Sequence, residues 1–247
     1  MSTPVRLHDI AWTPEQVARL WDYYASHRLD AYFARHYGGA VLRASRLDRS
    51  QPLEVVDFGC GPGFMWDHVR DTTAWRYTGL DFSPNSIAAL GARAAGHPRY
   101  AGAYGVDSLP SPLAEGAYDA VLLLEVVEHL NDEHLDATLR EVFRLLKPGG
   151  IALVSTPNDE DLADCRKLCP ECGALFHEWQ HVRSWNEASL GSELARHGLL
   201  QVHVLATDFA THGRSAASLG RRVARAAKRL LGKRAAPANL LGTYRKA

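Results

Sequence analysis

Residues 55–64 read VVDFGCGPGF. Two β-branched residues lead into Gly59, Gly61 and Gly63, spaced G-x-G-x-G, and the following FMWDHVRD is compatible with a helix. Glycines at this spacing let the backbone turn sharply and approach a ligand without Cβ obstruction, with a helix N-terminus facing the same spot. The stretch therefore reads as strand, ligand-facing loop, helix. An acid, Asp81, closes the next apolar run 22 residues after Gly59, a position suited to a ribose diol. Asp57 precedes the loop, and the spacing differs from the dinucleotide pattern G-x-G-x-x-G. Both features favour a zwitterionic amino-acid moiety over a pyrophosphate.

The same grammar extends outward in both directions. LEVVDFG (53–59), YTGLDFS (77–83), YDAVLLLEVV (118–127) and IALVSTPN (151–158) are short apolar runs separated by helical stretches. That alternation predicts an α/β fold with a doubly wound parallel sheet. Ser83-Pro84 opens a helix over 84–94, and HLDATLREVFRLLK stops at Pro148-Gly149-Gly150. LLQVHVLAT (199–207) and NLLGTYRK (239–246) read as two late strands. Ahead of the core, Val17, Leu20, Trp21 and Tyr24 share a helical face behind Thr13, which is the expected N-cap, with Pro14 at the first helical position and Gln16 completing a capping box.

A length of 247 residues suits one domain. The expected division is a helical cover over 1–50, a cofactor-binding core over 51–160, a Cys/His loop over 161–190 and a basic amphipathic segment over 213–237. Hydrophobic content of 46% and charged content of 23% are ordinary for a soluble protein. No run approaches the roughly 18 apolar residues of a membrane span, and MSTPVRLHDIAWTPEQ lacks the apolar centre of a secretory signal. The expected location is the cytoplasm, where clustered cysteines bind metal or catalyse more often than they form disulfides.

The motifs VVDFGCGPGF, TGLDFSPNSI, YDAVLLLEVVEHL and RLLKPGGIALVSTPN, in this order, resemble those of class I S-adenosylmethionine-dependent methyltransferases. The resemblance implies a Rossmann-like, mostly parallel seven-stranded sheet and S-adenosylmethionine as cofactor. It implies that Asp57, Gly59, Gly61 and Gly63 surround the methionine part, with Cys60 as a small filler in the loop. Asp81 would bind the ribose hydroxyls and Phe82 would lie beside the adenine. Where such enzymes often carry an acid for the adenine amino group, this chain has Gly105, and Asp107 is the nearest substitute. Glu125, ending the fourth strand, borders both cofactor and acceptor.

In such a sheet the acceptor site lies at the C-terminal ends of strands four and five. Strand four runs into Glu125-Val-Val-Glu128-His129; a helical turn here would place two carboxylates and an imidazole on one face. Three readings compete: a structural turn, His129 as general base for a hydroxyl, and a divalent cation, Mg or another, held by Glu125, Glu128 and His129. Small-RNA ribose 2′-O-methyltransferases and some ubiquinone-pathway O-methyltransferases show a similar E-x-x-E-H turn. The former add a distant histidine after a sequence like VSTPN, for which His177 or His181 stands here.

The stretch CPECGALFHEWQH (169–181) makes its own claim. Cys169-x2-Cys172-x4-His177-x3-His181 has the ligand types and count of a tetrahedral zinc site, and Cys165 could join or replace one ligand. The alternative is a metal-free loop with two buried cysteines. A zinc knuckle of Cys169, Cys172 and His177 could also pin the loop so that His181 turns to Glu125, Glu128 and His129.

The net charge of zero hides a tail. Beyond Asp208 there is no acid, and ten Lys and Arg residues leave the tail at +10 against −10 for 1–208. Leu219, Val223, Ala226, Leu230 and Leu231 recur at helical spacing opposite Arg222, Arg225, Arg229 and Lys233. Such a helix can contact a membrane surface or a polyanion, or pack on its own domain. The expected activity is O-methylation of a hydroxyl on a small-molecule or glycan acceptor, such as a saccharide or another polyhydroxylated metabolite. The alternatives are RNA ribose 2′-O-methylation and a non-catalytic S-adenosylmethionine-binding adaptor, and no obligate protein partner is inferred.

Overall fold

The computed structural model describes residues 5–211 and 237–247. The expected basic segment therefore lies, from 213 to 236, outside the described residues. Seven strands form the main sheet: β2 (Glu54–Phe58), β3 (Arg76–Asp81), β4 (Tyr100–Gly105), β5 (Tyr118–Leu124), β6 (Leu146–Pro157), β9 (Leu199–Thr207) and β10 (Asn239–Lys246). Their order is β4-β3-β2-β5-β6-β10-β9. The first five run parallel, and β10 is antiparallel to both its neighbours.

Alternation along the strands divides the core in two, because successive side chains leave a sheet on opposite faces. Val56, Val121, Leu123, Val154 and Leu240 pack beneath α5 (Asp132–Leu145) and α6 (Glu187–Arg196). Val55, Ala120, Leu122, Leu153 and Leu241 pack on the other face, against α2 (Phe33–Ala44), α3 (Phe64–Thr72) and α4 (Pro84–Ala94). The strands read as near-continuous apolar runs because both faces are covered. Gly149 and Gly150, expected to stop the helix, instead lie inside the long β6.

The N-terminal cover is only partly a cover. Helix α1 (Pro14–His27) has the expected capping box, with Thr13 and Gln16 bonding reciprocally. By contrast, Val41 and Leu42 of α2 are fully or almost fully buried, so 33–44 belongs to a core layer. Helix α1 was legible from its cap; α2, which starts at Phe33 behind Tyr32 without a side-chain cap, offered no such signal.

The expected Cys/His loop contains a β-hairpin. Strands β7 (Arg166–Leu168) and β8 (Ala174–His177) pair antiparallel, and β1 (His8–Asp9) adds to β8 in parallel to give a second, three-stranded sheet. CPEC forms the hairpin turn: Cys169 N–H donates to Ala174 C=O, and Gly173 N–H donates back to Cys169 C=O. Gly173 takes φ +80, and a Cβ there would lie 2.5 Å from the Arg6 carbonyl oxygen.

Candidate active site

Strand β2 delivers the chain directly into the glycine loop. Gly59, Gly61 and Gly63 take φ values of +79, +50 and +85, a region that L side chains rarely adopt. Space excludes side chains as well. A Cβ at Gly59 would lie 2.7 Å from Val126, one at Gly61 2.9 Å from the Tyr32 ring, and one at Gly63 2.6 Å from Leu90. Gly59 and Cys60 donate their N–H groups to Leu80 C=O, which ties the loop to the end of β3. Cys60 is buried, its thiol pushed up by burial and by the nearby carboxylates, in keeping with an inert filler.

Two acids flank this loop. Asp81 accepts from Gly61 N–H and from Ser83 N–H, each at 2.8 Å. Asp57 is 3% exposed and accepts from the Tyr77 hydroxyl. Burial pushes Asp57 up to about 7 and Asp81 up to about 6. Phe82, directly after Asp81, is 45% exposed. Asp107 is exposed in the bend after β4. Among the residues sequence reading missed, Tyr32 lies over Gly61, and Asp22 accepts from the Ser83 hydroxyl at 3.0 Å.

The E-x-x-E-H segment is not helical. Glu125 follows β5 with φ +53, and a tight turn closes by His129 N–H to Val126 C=O. A left-handed glutamate is strained backbone, of the kind that clusters at active sites. The turn still gathers the expected groups. Ser155 Oγ–H donates to Glu125 at 2.8 Å and Thr156 Oγ1–H to Glu128 at 3.0 Å, both from β6. Burial pushes Glu125 up to about 7 and Glu128 well above its usual range. Burial, reinforced by His181, drives His129 down to about 3, so its imidazole is neutral.

His181 arrives from the far side. Its ring lies 4.8 Å from that of His129, centroid to centroid, and 4.5 Å from that of His177, on which it stacks. Gln180, 2% exposed with φ +61, accepts from Trp21 Nε1–H at 3.1 Å and donates to His129 C=O at 2.9 Å. Trp21 in turn packs edge-on against His129 at 4.9 Å. Helix α1, the His177–His181 segment and the E-x-x-E-H turn are thus locked together over the C-terminal ends of β5 and β6.

Two groups of side chains bring potential ligand atoms within 4.8 Å of one another: Glu128, His129 and His181, and Glu160, His177 and His181. Neither includes a cysteine. The set Cys169, Cys172, His177 and His181 is not assembled, because β8 stands between its halves. The thiols sit at the hairpin turn, while His177 pairs with Arg166 at the open end, about 10 Å away at 3.3 Å per residue. Cys165 lies at that open end too, its carbonyl accepting from Glu178 N–H. Backbone N–H groups of Cys172 and Glu171, and the Cys172 thiol, lower Cys169. Glu160, in the acid-rich DEDLAD after β6, carried no sequence signal that set it apart from Asp159 or Asp161.

A mostly parallel seven-stranded sheet with β10 antiparallel between β6 and β9, together with a glycine loop after β2 and an acid ending β3, defines the class: a Rossmann-like methyltransferase fold. The profile of a family described as a methyltransferase domain matches residues 24–204, and the chain belongs to that family. A Mycolicibacterium smegmatis protein named a probable S-adenosylmethionine-dependent methyltransferase is 35% identical over 127 residues, 51% of this chain and 46% of that one. The ubiquinone biosynthesis O-methyltransferase of Caulobacter vibrioides is 36% identical over 108 residues, 43% of this chain and 41% of that one. The chain thus spans about half the length of the curated relatives it matches. Among solved structures, the Burkholderia thailandensis 1,6-didemethyltoxoflavin-N1-methyltransferase, with 1,6-didemethyltoxoflavin and S-adenosylhomocysteine bound, superimposes with a TM-score of 0.61 at 18% identity. That match covers 98% of this chain and 93% of the other. No helix among the described residues is long and apolar enough to cross a membrane.

Proposed function

We propose that this chain transfers the methyl group of S-adenosylmethionine to a hydroxyl, on a saccharide or another polyhydroxylated small molecule. One observation carries the reading. Asp57, Asp81, Glu125, Glu128 and Glu160 converge, buried or half-buried, at the C-terminal ends of β2, β3, β5 and β6, and among the described residues no Lys or Arg pairs with any of them. Unpaired buried carboxylates are costly, so the ligands that fit are cationic. S-adenosylmethionine offers an ammonium group and a sulfonium.

A divalent cation fits the second half of the cluster. Among the described residues, Glu128 Oε1 and His129 Nδ1 are buried without hydrogen-bond partners, and the neutral His129 has the protonation state a metal ligand needs. Glu128, His129 and His181 would hold the ion. Two imidazoles and one carboxylate suit Mn, Fe, Co or Zn better than the oxygen-seeking Mg. Such an ion, when bound, lowers the pKa of a nearby hydroxyl.

The chain's own residues divide the remaining work. His129, held near 3, is too weak a base to take a proton at neutral pH, whereas Glu125 at about 7 titrates where a general base works best. Glu125 therefore accepts the acceptor's proton as its oxygen attacks the methyl carbon and the carbon–sulfur bond breaks, leaving S-adenosylhomocysteine. Trp21 and Gln180 tie α1 to this region.

The test is transfer of labelled methyl from S-adenosylmethionine to cell-extract fractions separated into glycan, lipid, RNA and small-molecule pools, with and without EDTA followed by Mn2+. Label on hydroxyls of the glycan or small-molecule pool supports the reading, and label on nitrogen alone overturns it. Label on RNA ribose would favour the ribose alternative, which the meeting of His181 with the E-x-x-E-H turn also suits. Cofactor binding without any turnover would favour the adaptor. Turnover insensitive to EDTA would remove the cation from the scheme.

A further inference from the structure

We infer that Glu160 is a positioning residue: it fixes His181 as the Nδ1–H tautomer and thereby turns the Nε2 lone pair towards Glu128 and His129. The inference rests on the proposed acceptor site and concerns a residue outside every motif. His181 Nδ1 lies 2.5 Å from Glu160 Oε2. That is inside hydrogen-bonding distance and shorter than the separation of two atoms ligating one ion at the usual metal distances. The contact is therefore N–H to carboxylate, and Nδ1 is not a ligand atom. Since the neutral ring has one N–H, Nε2 carries the lone pair.

His177 answers the second carboxylate oxygen. Its Nδ1 faces the backbone N–H groups of Trp179 and His181, each at 3.3 Å. Two donors aimed at one ring nitrogen make it an acceptor, so the His177 proton sits on Nε2, 3.6 Å from Glu160 Oε1. His177 Nε2 is buried without another partner. Glu160 thus receives the His181 N–H on one oxygen and faces the His177 Nε2 electrostatically, beyond hydrogen-bond length, on the other. The group Glu160, His177 and His181 is accordingly a support for the group Glu128, His129 and His181, and not a second ion site. A carboxylate behind a ligating histidine sets its tautomer and ring orientation and raises its basicity.

Two measurements test this. In protein with nitrogen-15-labelled histidine, long-range proton–nitrogen spectra should show His181 protonated at Nδ1, and Glu160→Gln, which places an amide donor against one of the two N–H groups, should mix the tautomers. An Nε2–H tautomer in the native protein, or an unchanged spectrum in the variant, overturns the inference. By calorimetry, Glu160→Gln should weaken Mn2+ binding about 10- to 100-fold while leaving S-adenosylhomocysteine affinity, the control for folding, within about 2-fold. Equal Mn2+ affinity in both proteins overturns it as well. If the native protein binds no Mn2+, the cation reading of the function fails, and the tautomer spectra still decide the role of Glu160.

Discussion

The glycine loop at 59–63 and the Cys/His stretch at 169–181 look equally dense in motif residues, and they fold to opposite outcomes. In the loop every glycine sits where its spacing placed it, left-handed and pressed against Val126, Tyr32 or Leu90. In the Cys/His stretch, four potential zinc ligands are pulled apart by a strand, and half of them join acids from β5 and from the segment after β6. The difference lies in what each motif specifies. Glycines specify backbone geometry, so the motif carries its own structure. Ligand spacing specifies nothing until the intervening secondary structure is known.

The sharpest way to break the contrast is to remove Glu128. Glu128→Ala should reduce methyl transfer by about 100- to 10,000-fold, in the range of a lost acid–base or cation-binding group. S-adenosylhomocysteine affinity, measured by calorimetry, should hardly move, because the cofactor loop is built from other elements. Activity within a factor of a few of the native protein would place the chemistry elsewhere.

Gly63→Ala tests the other side. The substitution forces a side chain at φ +85 into contact with Leu90, 2.6 Å from Cδ1 and 3.3 Å from Cα. Strain of this kind costs about 1 to 3 kcal/mol, so the urea midpoint should fall and cofactor affinity should fall with it. A variant as stable as the parent would show that the loop tolerates a Cβ and that its glycines were overread.

The buried acids predict a pH effect of intermediate size. Asp57 and Glu125 are raised by burial to about 7, well above the ordinary carboxylate range of about 4 that the unfolded chain keeps. Between those values the native state binds protons that the unfolded state does not, so stability falls as pH rises through 7. His129, lowered to about 3, and His177, lowered by burial, act the other way once the unfolded imidazoles protonate near 6.5. The carboxylates outweigh them, and moving the apoprotein from pH 7.5 to 6.0 should stabilise it by on the order of 1 kcal/mol. Saturating S-adenosylmethionine should shrink the gain, since its cationic groups favour the ionised acids. A melting temperature that rises with pH across this window would contradict the burial assigned to these acids.

Legibility in the sequence followed the same division. Four of the five parallel strands, the capped helices α1 and α4, and both late strands could be placed because propensity, periodicity and capping agreed there, whereas β4, YAGAYG, carries no apolar run. The E-x-x-E-H groups were expected to share a face and do gather, but on a different backbone, since nothing local shows that Glu125 takes φ +53. Glu160, Gln180 and Trp21 could not be found at all. Their roles come from elements 20 to 160 positions apart in the chain that meet only after the sheet, the hairpin and α1 have packed. Local pattern encodes elements; the proposed acceptor side of this site is made between elements.

The smallest effect is the most pointed. If the thiols have no part in a metal site with His177 and His181, replacing both, Cys169→Ser with Cys172→Ser, should change stability by no more than about 0.5 kcal/mol, the usual range for surface substitutions. Cys172 is exposed, and the turn is held by backbone bonds through Cys169 and Gly173 that serine preserves. Divalent-cation content and methyl transfer should both match the native protein, whereas His181→Ala should lower both. Loss of bound zinc together with hairpin stability in the double serine variant would mean that the thiols find further ligands, and the two halves of CPECGALFHEWQH would then each hold an ion of their own. Retention in the serine variant and loss in the alanine variant would instead divide this stretch by its chemistry as β8 divides it in space, with a turn at one end and part of the active site at the other.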